Sequence, residues 1–469
     1  MPMNKVSVVV LGAIAAACAV GPDYRRPEAA HPAAFKEAWQ PAAPADQLPR
    51  GPWWHAYGDE TLDGLAADAE RANQTIAAAD AQYRAALAAV SGTRAALFPT
   101  IGIAASMTRG QNATGAPVTG GGTVSVGRST YTIDKLTGTL SWEIDLWGRL
   151  RRTLEASRSS AEASERDLAA ARLSIEATLV QSYVQLRALD LQRDLLERTI
   201  SAYQRSLEIT RNRYAAGVSP RTDVTEAEVQ LAAAQAQAAD LTVQRATLEH
   251  AIATLTGRPA SEFTLPPATA LPALPPLPQV LPATLLERRP DVAAAERRVA
   301  AANAAIGVAE SAWFPSLSLT GATGYQADTW QNIISAPNRF WSLGPELAAT
   351  LFDAGARSAQ TAAARASYDQ AVATYRQTVL AALADTEDAL AALHGLADEE
   401  AAQSRAVVAA RETLRATENQ YRAGTVSYLN VVIVQTTAFS SEQNLINVQS
   451  RRLLAHVALL KAMGGAPAG

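Results

Sequence analysis

The chain has 469 residues, a formal net charge of −4 at pH 7 and a hydrophobic fraction of 48%. That length suits two or three ordinary domains or one elongated domain, and the composition excludes a disordered tail. The 41 Lys and Arg residues nearly balance the 45 Asp and Glu residues, so we expect no nucleic-acid partner held by phosphate neutralisation. Much of the apolar fraction is alanine, which favours helices but supplies little buried area per residue.

The N-terminus carries an apolar segment, Val6 to Val20, that is too short to span a bilayer. It is typical of a signal peptide, which we place at residues 1–17, ahead of Cys18. Because this cysteine is the only one in the chain, no disulfide can form within it. Two interpretations stay open. Cys18 receives a lipid after cleavage, as in bacterial lipoproteins, or it lies incidentally beside an ordinary cleavage site, since Ala15 replaces the usual large aliphatic residue.

The first half of the mature chain predicts a helix followed by two strands. Helical periodicity runs from about Glu60 to Leu97 and ends at Phe98-Pro99, because a residue before proline is pushed out of the α region. The period then changes to two, near Thr100 to Thr108 and again from Lys135 to Leu146. Each of these strands has one apolar face and one polar face.

A long helical hairpin follows the strands. Residues 149–214 contain no Gly or Pro, which predicts a helix of about 100 Å at about 1.5 Å per residue. Gly217 and Pro220 then break the chain, and a return helix runs from about Asp223 to Thr256. The turn at Gly217 is therefore the tip of the hairpin, and one interpretation of Asp223 is that it caps the return helix.

The chain repeats this order once. The segment Tyr214 to Gly217 recurs as Tyr421 to Gly424, 207 residues later, and Leu255-Thr256-Gly257 has an echo at the same spacing. The second half predicts a helix from about Pro282 to Trp313, two strands that include residues 316–325 and 342–351, and a hairpin built from Ala356–Arg422, a turn at Gly424 and Tyr428–Ala462.

These boundaries divide the chain into six segments. They are the signal peptide (1–17), an extended N-terminal segment (18–59), the first repeat (60–264), a proline-rich linker (265–281), the second repeat (282–464) and a short tail (465–469).

The four strands favour an assembly of several chains in a membrane. Each is around ten residues long, which is enough to cross a bilayer at a tilt. Aromatic residues lie at or near the strand ends, as in a membrane girdle: Trp142, Trp147, Tyr325, Trp330 and Trp341. Four strands cannot close a barrel, and open sheet edges in lipid are costly. Two, three or four copies would supply 8, 12 or 16 strands, and only the larger numbers leave a wide aqueous lumen. A soluble sandwich with one wet face is the alternative.

The polar strand faces carry acidic residues, and we expect Glu143, Asp145 and Glu346 to face the lumen of such a channel. We therefore predict an α+β membrane protein in which internally duplicated long helical hairpins accompany four membrane-spanning strands per chain.

Several motifs in both halves carry a resemblance to one family. They are Cys18 to Tyr24, Phe98-Pro99, Glu143 to Arg149, Leu286 to Val292, Trp313 to Pro315 and Leu351 to Gly355. With them the chain resembles the outer-membrane factors of tripartite efflux systems, the TolC-like and OprM-like proteins, and most closely their NodT-type lipoprotein branch.

The resemblance implies a homotrimer whose strands close a twelve-strand barrel in the outer membrane and whose hairpins form an α-barrel in the periplasm. A periplasmic adaptor (membrane fusion protein) and an inner-membrane pump would dock at the hairpin tips. The duct would be a passive exit path for drugs or other small molecules, with a lipid on Cys18 as its anchor and no further cofactor.

The family closes its periplasmic end with residues at the tips. Tyr421 matches the tyrosine of that motif, and Asp223 keeps the acid of the first tip. Asn430 stands where relatives often carry aspartate, and Val426 stands where an arginine is found. The resemblance thus assigns Tyr421, Asn430 and Asp223 to the aperture, with a weaker electrostatic contribution than in relatives.

Two other classes of function fit the sequence less well. A lipid-anchored periplasmic coiled-coil adaptor or scaffold would share the hairpins, but it would not need four strands of membrane length. An enzyme would need converging catalytic groups, whereas the five histidines are scattered with no metal-binding spacing. We therefore expect no catalytic residues and no metal site.

Overall fold

The structure is a computed structural model that describes residues 19–29, 52–111, 116–118, 122–124, 130–276 and 289–465. The predicted signal peptide and Cys18 lie outside these residues. The chain divides into two compact units: one takes in Met1–Pro27, Tyr83–Ala163 and Glu296–Thr374, and the other takes in Glu28–Gln82, Ser164–Ala295 and Tyr375–Gly469. Within the described ranges, no helix combines the length and apolar character needed to cross a membrane.

The first unit contains an antiparallel sheet of four strands, β1 (Thr100–Gln111), β4 (Thr130–Ile144), β5 (Ser316–Ala327) and β6 (Arg339–Ala348), which neighbour one another in this order. Two short strands between β1 and β4 in the chain, β2 (Ala116–Val118) and β3 (Gly122–Val124), pair separately. The four predicted strands are confirmed. β4 begins five residues earlier than the predicted Lys135, and Leu351 lies beyond the end of β6.

The strand pairing sorts the side chains onto two faces. One line of paired residues across the sheet is Ile101, Leu140, Gly321 and Leu343, and the next is Gly102, Thr139, Ala322 and Ser342. Because neighbouring residues in a strand point to opposite faces, this register produces one apolar and one polar face. Ile101 and Ile103 on the apolar face are 82% and 80% exposed within the single chain.

The helix predicted over Glu60–Leu97 is two helices, α1 (Glu60–Ala72) and α2 (Gln74–Ala95), so the prediction of one helix is wrong. Asn73 separates them. Its side-chain oxygen accepts from the N–H groups of Thr75 and Ile76, and its Nδ2 donates to the Leu255 carbonyl at 2.9 Å. The hydrogen bonds that cap the start of α2 and the one that joins Asn73 to Leu255 together favour the interruption between the two helices. In the second half, α5 (Pro290–Ser311) begins at its proline.

The hairpins confirm the internal duplication. Their helices are α3 (Arg149–Ala215), α4 (Arg221–Leu255), α6 (Ala356–Arg422) and α7 (Tyr428–Ala462). Every helix boundary of the first hairpin recurs 207 residues later in the second, at Ala356, Arg422, Tyr428 and Ala462. We call the turn at Gly217 the first tip and the turn at Gly424 the second tip.

The same turn ends all four helices. At the first tip, Gly217 has φ +73° and donates to the Tyr214 carbonyl, while Val218 donates to the Arg213 carbonyl. This is the Schellman pattern, which requires a left-handed residue and therefore favours glycine. Gly257, Gly424 and Gly464 occupy the same place with φ between +69° and +76°.

Two of these glycines allow a matched test. A Cβ at Gly257 would lie 2.5 Å from the Ala72 carbonyl oxygen, whereas a Cβ at Gly217 would meet nothing within 4 Å. We expect Gly217→Ala to cost about 1 kcal/mol of unfolding free energy through left-handed strain alone. Gly257→Ala should cost clearly more because the backbone of α1 must also move. Denaturant unfolding of both variants checks this, and equal losses would contradict it.

The core of the second unit holds a buried histidine. Trp53, Tyr57, Leu179 and Leu459 lie in this core, and the Tyr57 hydroxyl is 2.9 Å from Nδ1 of His456. Burial raises the pKa of Tyr57, so its hydroxyl keeps its proton. Nε2 of His456 has no hydrogen-bond partner among the described residues. Burial lowers the pKa of His456 from 6.5 to about 4.

This histidine predicts an acid-sensitive fold. The unfolded chain takes up the proton near pH 6.5 and the folded chain only near pH 4, so the contribution of neutral His456 to stability is complete above pH 6.5. Stability should fall as the pH drops from 6.5 to 4 and level off below that. His456→Phe should flatten this part of the curve in unfolding experiments run at a series of pH values. An unchanged slope in the variant would exclude His456 as its source.

Candidate functional site

The polar face of the sheet ends in two acidic residues on one line of pairing. Glu143 pairs with Ser318, and Ser318 pairs with Glu346. Both oxygens of the Glu143 carboxylate accept from Arg149, at 2.9 and 2.6 Å. Glu346 is exposed. Of these two acidic residues, Glu143 is therefore neutralised by Arg149, while Glu346 keeps an exposed carboxylate at the end of the sheet that leads into α3.

Asp145 was predicted as a strand residue of this face, and that placement is wrong. β4 ends at Ile144, and the Asp145 carboxylate accepts from the N–H groups of Leu150 and Arg151 at 3.1 and 2.9 Å. Asp145 thus satisfies the free N–H groups at the start of α3.

The second half repeats this cap. Asp353 accepts from the N–H groups of Gly355 and Arg357, and the Arg357 guanidinium donates to it at 2.6 Å. The hydrogen bond from Arg357 is the main cause of the lowered pKa of Asp353. In each half of the chain, the aspartate that precedes the first helix of the hairpin therefore caps that helix, α3 or α6.

Aromatic residues mark both ends of the sheet. Near the helices, Trp147 stacks on Phe314 with ring centroids 4.8 Å apart, and its Nε1 donates to the Pro315 carbonyl at 2.7 Å. At the opposite end, Tyr325 pairs with Arg339, and Trp341 lies two residues further along β6. Two aromatic levels separated by apolar residues are the arrangement expected of a sheet that crosses a bilayer.

An extended N-terminal segment is held against the helix starts of the first unit. Arg152, only 7% exposed, donates to the carbonyl oxygens of Val20 and Gly21 and to the Asp23 carboxylate, the last at 2.8 Å. A Cβ on Gly21 would lie 2.3 Å from the Cα of Gly307, so the two glycines allow a close approach. Sequence reasoning did not predict this contact. The sequence feature that could have indicated it is Gly21-Pro22-Asp23, a segment after the cysteine with neither helical nor strand periodicity.

The two hairpin tips meet in the second unit. Tyr421 at the second tip is 5% exposed, and its ring centroid lies 5.6 Å from that of Tyr428. Leu207, Ala227 and Val431 complete this apolar cluster. Burial is the main cause of the raised pKa of Tyr428, whose hydroxyl bonds to Ser206.

Arg213 joins the first tip to the second. Its Nη1 donates to the Tyr421 carbonyl at 2.9 Å, and its guanidinium carbon lies 4.7 Å from the centroid of the Tyr421 ring. The bond goes to one of the last carbonyls of α6, where a positive charge is favoured by the helix dipole. Sequence reasoning did not single out Arg213, although it directly precedes the repeated tip motif that begins at Tyr214.

The other predicted aperture residues are more exposed. Asp223 is half-buried in the first turn of α4. The capping position belongs to Pro220, so the interpretation of Asp223 as the helix cap is wrong. Asn430 is exposed in the first turn of α7. The Tyr421 hydroxyl has no hydrogen-bond partner among the described residues, so no such bond joins it to either side chain in one chain. Over the same residues, no cluster of His, Cys, Asp or Glu could hold a metal ion.

Comparisons with known proteins agree with this architecture. Residues 65–258 and 281–465 match the outer membrane efflux protein family. The pyoverdine export outer membrane protein OpmQ of Pseudomonas putida is 32% identical, over 91% of this chain and 91% of its own length. The outer membrane protein OprJ of Pseudomonas aeruginosa is 30% identical, over 99% of this chain and 96% of its own.

Solved structures show the same fold. The outer-membrane channel OprN is 33% identical with a TM-score of 0.88, covering 96% of this chain and 99% of its own. CusC, whose structures follow transmembrane channel formation, is 26% identical with a TM-score of 0.85, covering 96% and 100%. With its two-faced sheet, its duplicated hairpins and a family match over most of its length, this chain belongs to the outer membrane efflux protein family and is an outer-membrane efflux channel.

Proposed function

We propose that the channel is a passive duct built from three copies of the chain, through which a pump sends small molecules out of the periplasm. The observation that carries this proposal is the four-stranded sheet with one apolar and one polar face. Among the residues that the structure describes, its outer strands, β1 and β6, each pair on one side only. In lipid, unpaired strand edges cost several kcal/mol per group, so neighbouring copies must supply the missing partners. Three copies contribute twelve strands, which leave an aqueous lumen.

The polar faces would line this lumen. Thr139, Ser141 and Ser318 contribute hydroxyl groups to this surface. Glu143 is neutralised by Arg149, Glu346 contributes a negative charge at the helical end, and Lys135 contributes a positive charge towards the other end. Such a surface can pass varied solutes without binding them, which suits a duct whose cargo is selected elsewhere. The relatives' names agree: one exports pyoverdine and another belongs to a toluene efflux pump.

The same comparisons support a proposal for the partners of the duct. Several relatives are named as the outer membrane proteins of efflux pumps. We propose an inner-membrane pump and a periplasmic adaptor that docks at the hairpin tips, and an aperture at the tips that involves Tyr421, Asn430 and Asp223. The tips present exposed apolar side chains, Val218 at 65% and Leu429 at 52%. The chain acts by conducting solutes and needs no cofactor for this.

A lipid on Cys18 is the proposed anchor. The segment that follows Cys18 is fixed by Arg152 beside the strand ends, so a lipid there would emerge next to the sheet. Mass spectrometry of the N-terminal peptide from membrane-extracted protein tests this directly. Cleavage before Cys18 with an unmodified thiol would leave the incidental-cysteine interpretation standing.

Conductance in planar bilayers tests the duct. Detergent-purified protein should show stable ion-conducting steps, and its mass should be that of three chains. Small flickering steps would place the resting state on the closed side. The adaptor interpretation predicts the opposite result, namely a protein that extracts without detergent and conducts no ions.

A further inference from the structure

The polar face of the sheet carries a contact between a charged and an aromatic side chain, towards the end away from the helices. The Lys135 ammonium lies 4.9 Å from the centroid of the Phe340 ring. Lys135 is in β4 and Phe340 is in β6, so the contact crosses β5, the strand between them. A cation over an aromatic face is attracted by the ring electrons. Phe340 therefore holds the ammonium at one place on the polar face.

A glycine makes this reach across a strand possible. Gly324 of β5 pairs with Thr137 on one side and with Phe340 on the other, so all three lie on the same face. A Cβ on Gly324 would clash with the Leu136 carbonyl oxygen, because β4 approaches this strand closely. The backbone of β5 is therefore bare at this point, and the Lys135 side chain can lie over it.

The charge of Lys135 has no acidic partner in the described part of the chain. There, its ammonium makes no ion pair, and the residues that pair with it, Ser106 and Gln326, are neutral. Asp134, the preceding residue, lies on the opposite, apolar face of the strand. Lys135 is only half-buried, so it presents its positive charge to the solvent on the polar face.

The opposite charge of this face lies at the other end of the sheet. Glu346 is on the line of pairing that passes through Glu143, and Lys135 precedes Glu143 by eight residues in the same strand. Eight strand residues span about 27 Å. This separation exceeds the Debye length of about 8 Å at physiological ionic strength. A solute that moves along the face therefore meets the two charges one after the other.

We propose that three Lys135 side chains, each positioned by a Phe340 ring, form a positive ring near the outer end of the lumen, and that this ring favours the passage of organic anions. The inference rests on the proposed function, because it requires three copies with their polar faces turned inward. Rings of lysine or arginine side chains favour anions in pores. Lys135 supplies the charge, and Phe340 is a positioning residue that keeps this charge from swinging into the bulk solvent.

Reversal potentials in planar bilayers under a potassium chloride gradient test the ring. Lys135→Gln should lower the ratio of chloride to potassium permeability about twofold in dilute salt, where the Debye length is about 30 Å and the charges act across the lumen. Lys135→Arg keeps the charge and should keep the wild-type ratio. Glu346→Gln should raise the ratio, so it is a control of opposite sign within the same lumen.

Arg109 supplies a control outside the lumen. It lies on the apolar face of β1, two residues beyond Met107, and is exposed. Arg109→Gln removes the same charge as Lys135→Gln but should leave the permeability ratio unchanged. A wild-type ratio in Lys135→Gln, beside a shifted ratio in Glu346→Gln, would overturn the inference while leaving the duct in place. A wild-type protein that conducts no ions would instead remove the proposed duct and the ring with it.

Organic ions test the class of solute and the part played by Phe340. Benzenesulfonate and phenyltrimethylammonium are aromatic ions of similar size and opposite charge. Lys135→Glu should lower the permeability of the anion relative to the cation by more than Lys135→Gln does. Phe340→Leu should lower it less than either, because the charge stays and only its position is released. Equal ratios in the wild type and Lys135→Glu would refute the preference for organic anions, and a wild-type ratio in Phe340→Leu would refute the positioning by Phe340.

Discussion

Replacing Asp190 with alanine should cost about 3–5 kcal/mol of unfolding free energy, the range for breaking a buried ion pair by removing one partner. The Asp190 side chain is fully buried and pairs with Arg187 at 3.1 Å and Arg245 at 2.8 Å. Its carboxylate also accepts from the Ala268 N–H, while both arginines donate to carbonyl oxygens of residues 265 and 266. Without the carboxylate, two guanidinium groups remain desolvated and the proline-rich linker loses its hydrogen bond from the Ala268 N–H.

A neighbouring aspartate supplies the control. Asp194, one turn further along α3, pairs with Arg198, and both side chains are largely exposed. Asp194→Ala should cost no more than about 1 kcal/mol, because exposed ion pairs contribute little. Asp190→Asn should fall between the two, since it keeps the size and one acceptor but loses the charge. Denaturant titration of the detergent-solubilised variants measures all three, and similar losses at Asp190 and Asp194 would refute the buried network as a source of stability.

Replacing Ile103 with arginine should sharply reduce the amount of folded protein in the outer membrane. Ile103 lies on the apolar face of β1, opposite Gly138, and is 80% exposed in the single chain. A charged residue on the lipid face near the middle of a spanning barrel costs about 2–4 kcal/mol. Quantification of folded protein in outer-membrane fractions measures the effect.

The adjacent residue is the matched control. Ala104 points to the polar face, where it pairs with Thr137 and is exposed. Ala104→Arg places the same side chain in the predicted aqueous lumen and should leave the amount of folded protein near that of the wild type. If both variants accumulate equally, the apolar face does not contact lipid, and the soluble-sandwich alternative regains support.

Elements with a strong local signal were predictable from the sequence. α6 and α7 begin and end at the predicted residues, because Gly424 supplies the left-handed turn that L residues resist. The alternation along β1 and β4 predicted two faces, which the pairing of Ile101 with Leu140 confirms. Glycine, proline and side-chain periodicity act within a few residues, so no distant partner is needed to identify them.

Contacts between distant residues were not predictable in this way. The break at Asn73 depends on Leu255, 182 residues away, and the burial of Tyr421 depends on Arg213, 208 residues earlier. Asp145 follows the strand alternation, yet its carboxylate caps α3, because the free N–H groups of a helix start compete for any nearby acceptor.

The sequence by itself determined the element order, the 207-residue duplication, the two faces of the strands and the family resemblance, since all of these reside in local residue patterns. Only the tertiary structure decided which charged side chains remain free. It pairs Glu143 with Arg149, buries Asp190 between two arginines and places Arg213 on the second tip. The physical reason is that a charge is neutralised by whichever opposite group the fold brings within a few ångströms, and sequence spacing does not reveal that distance.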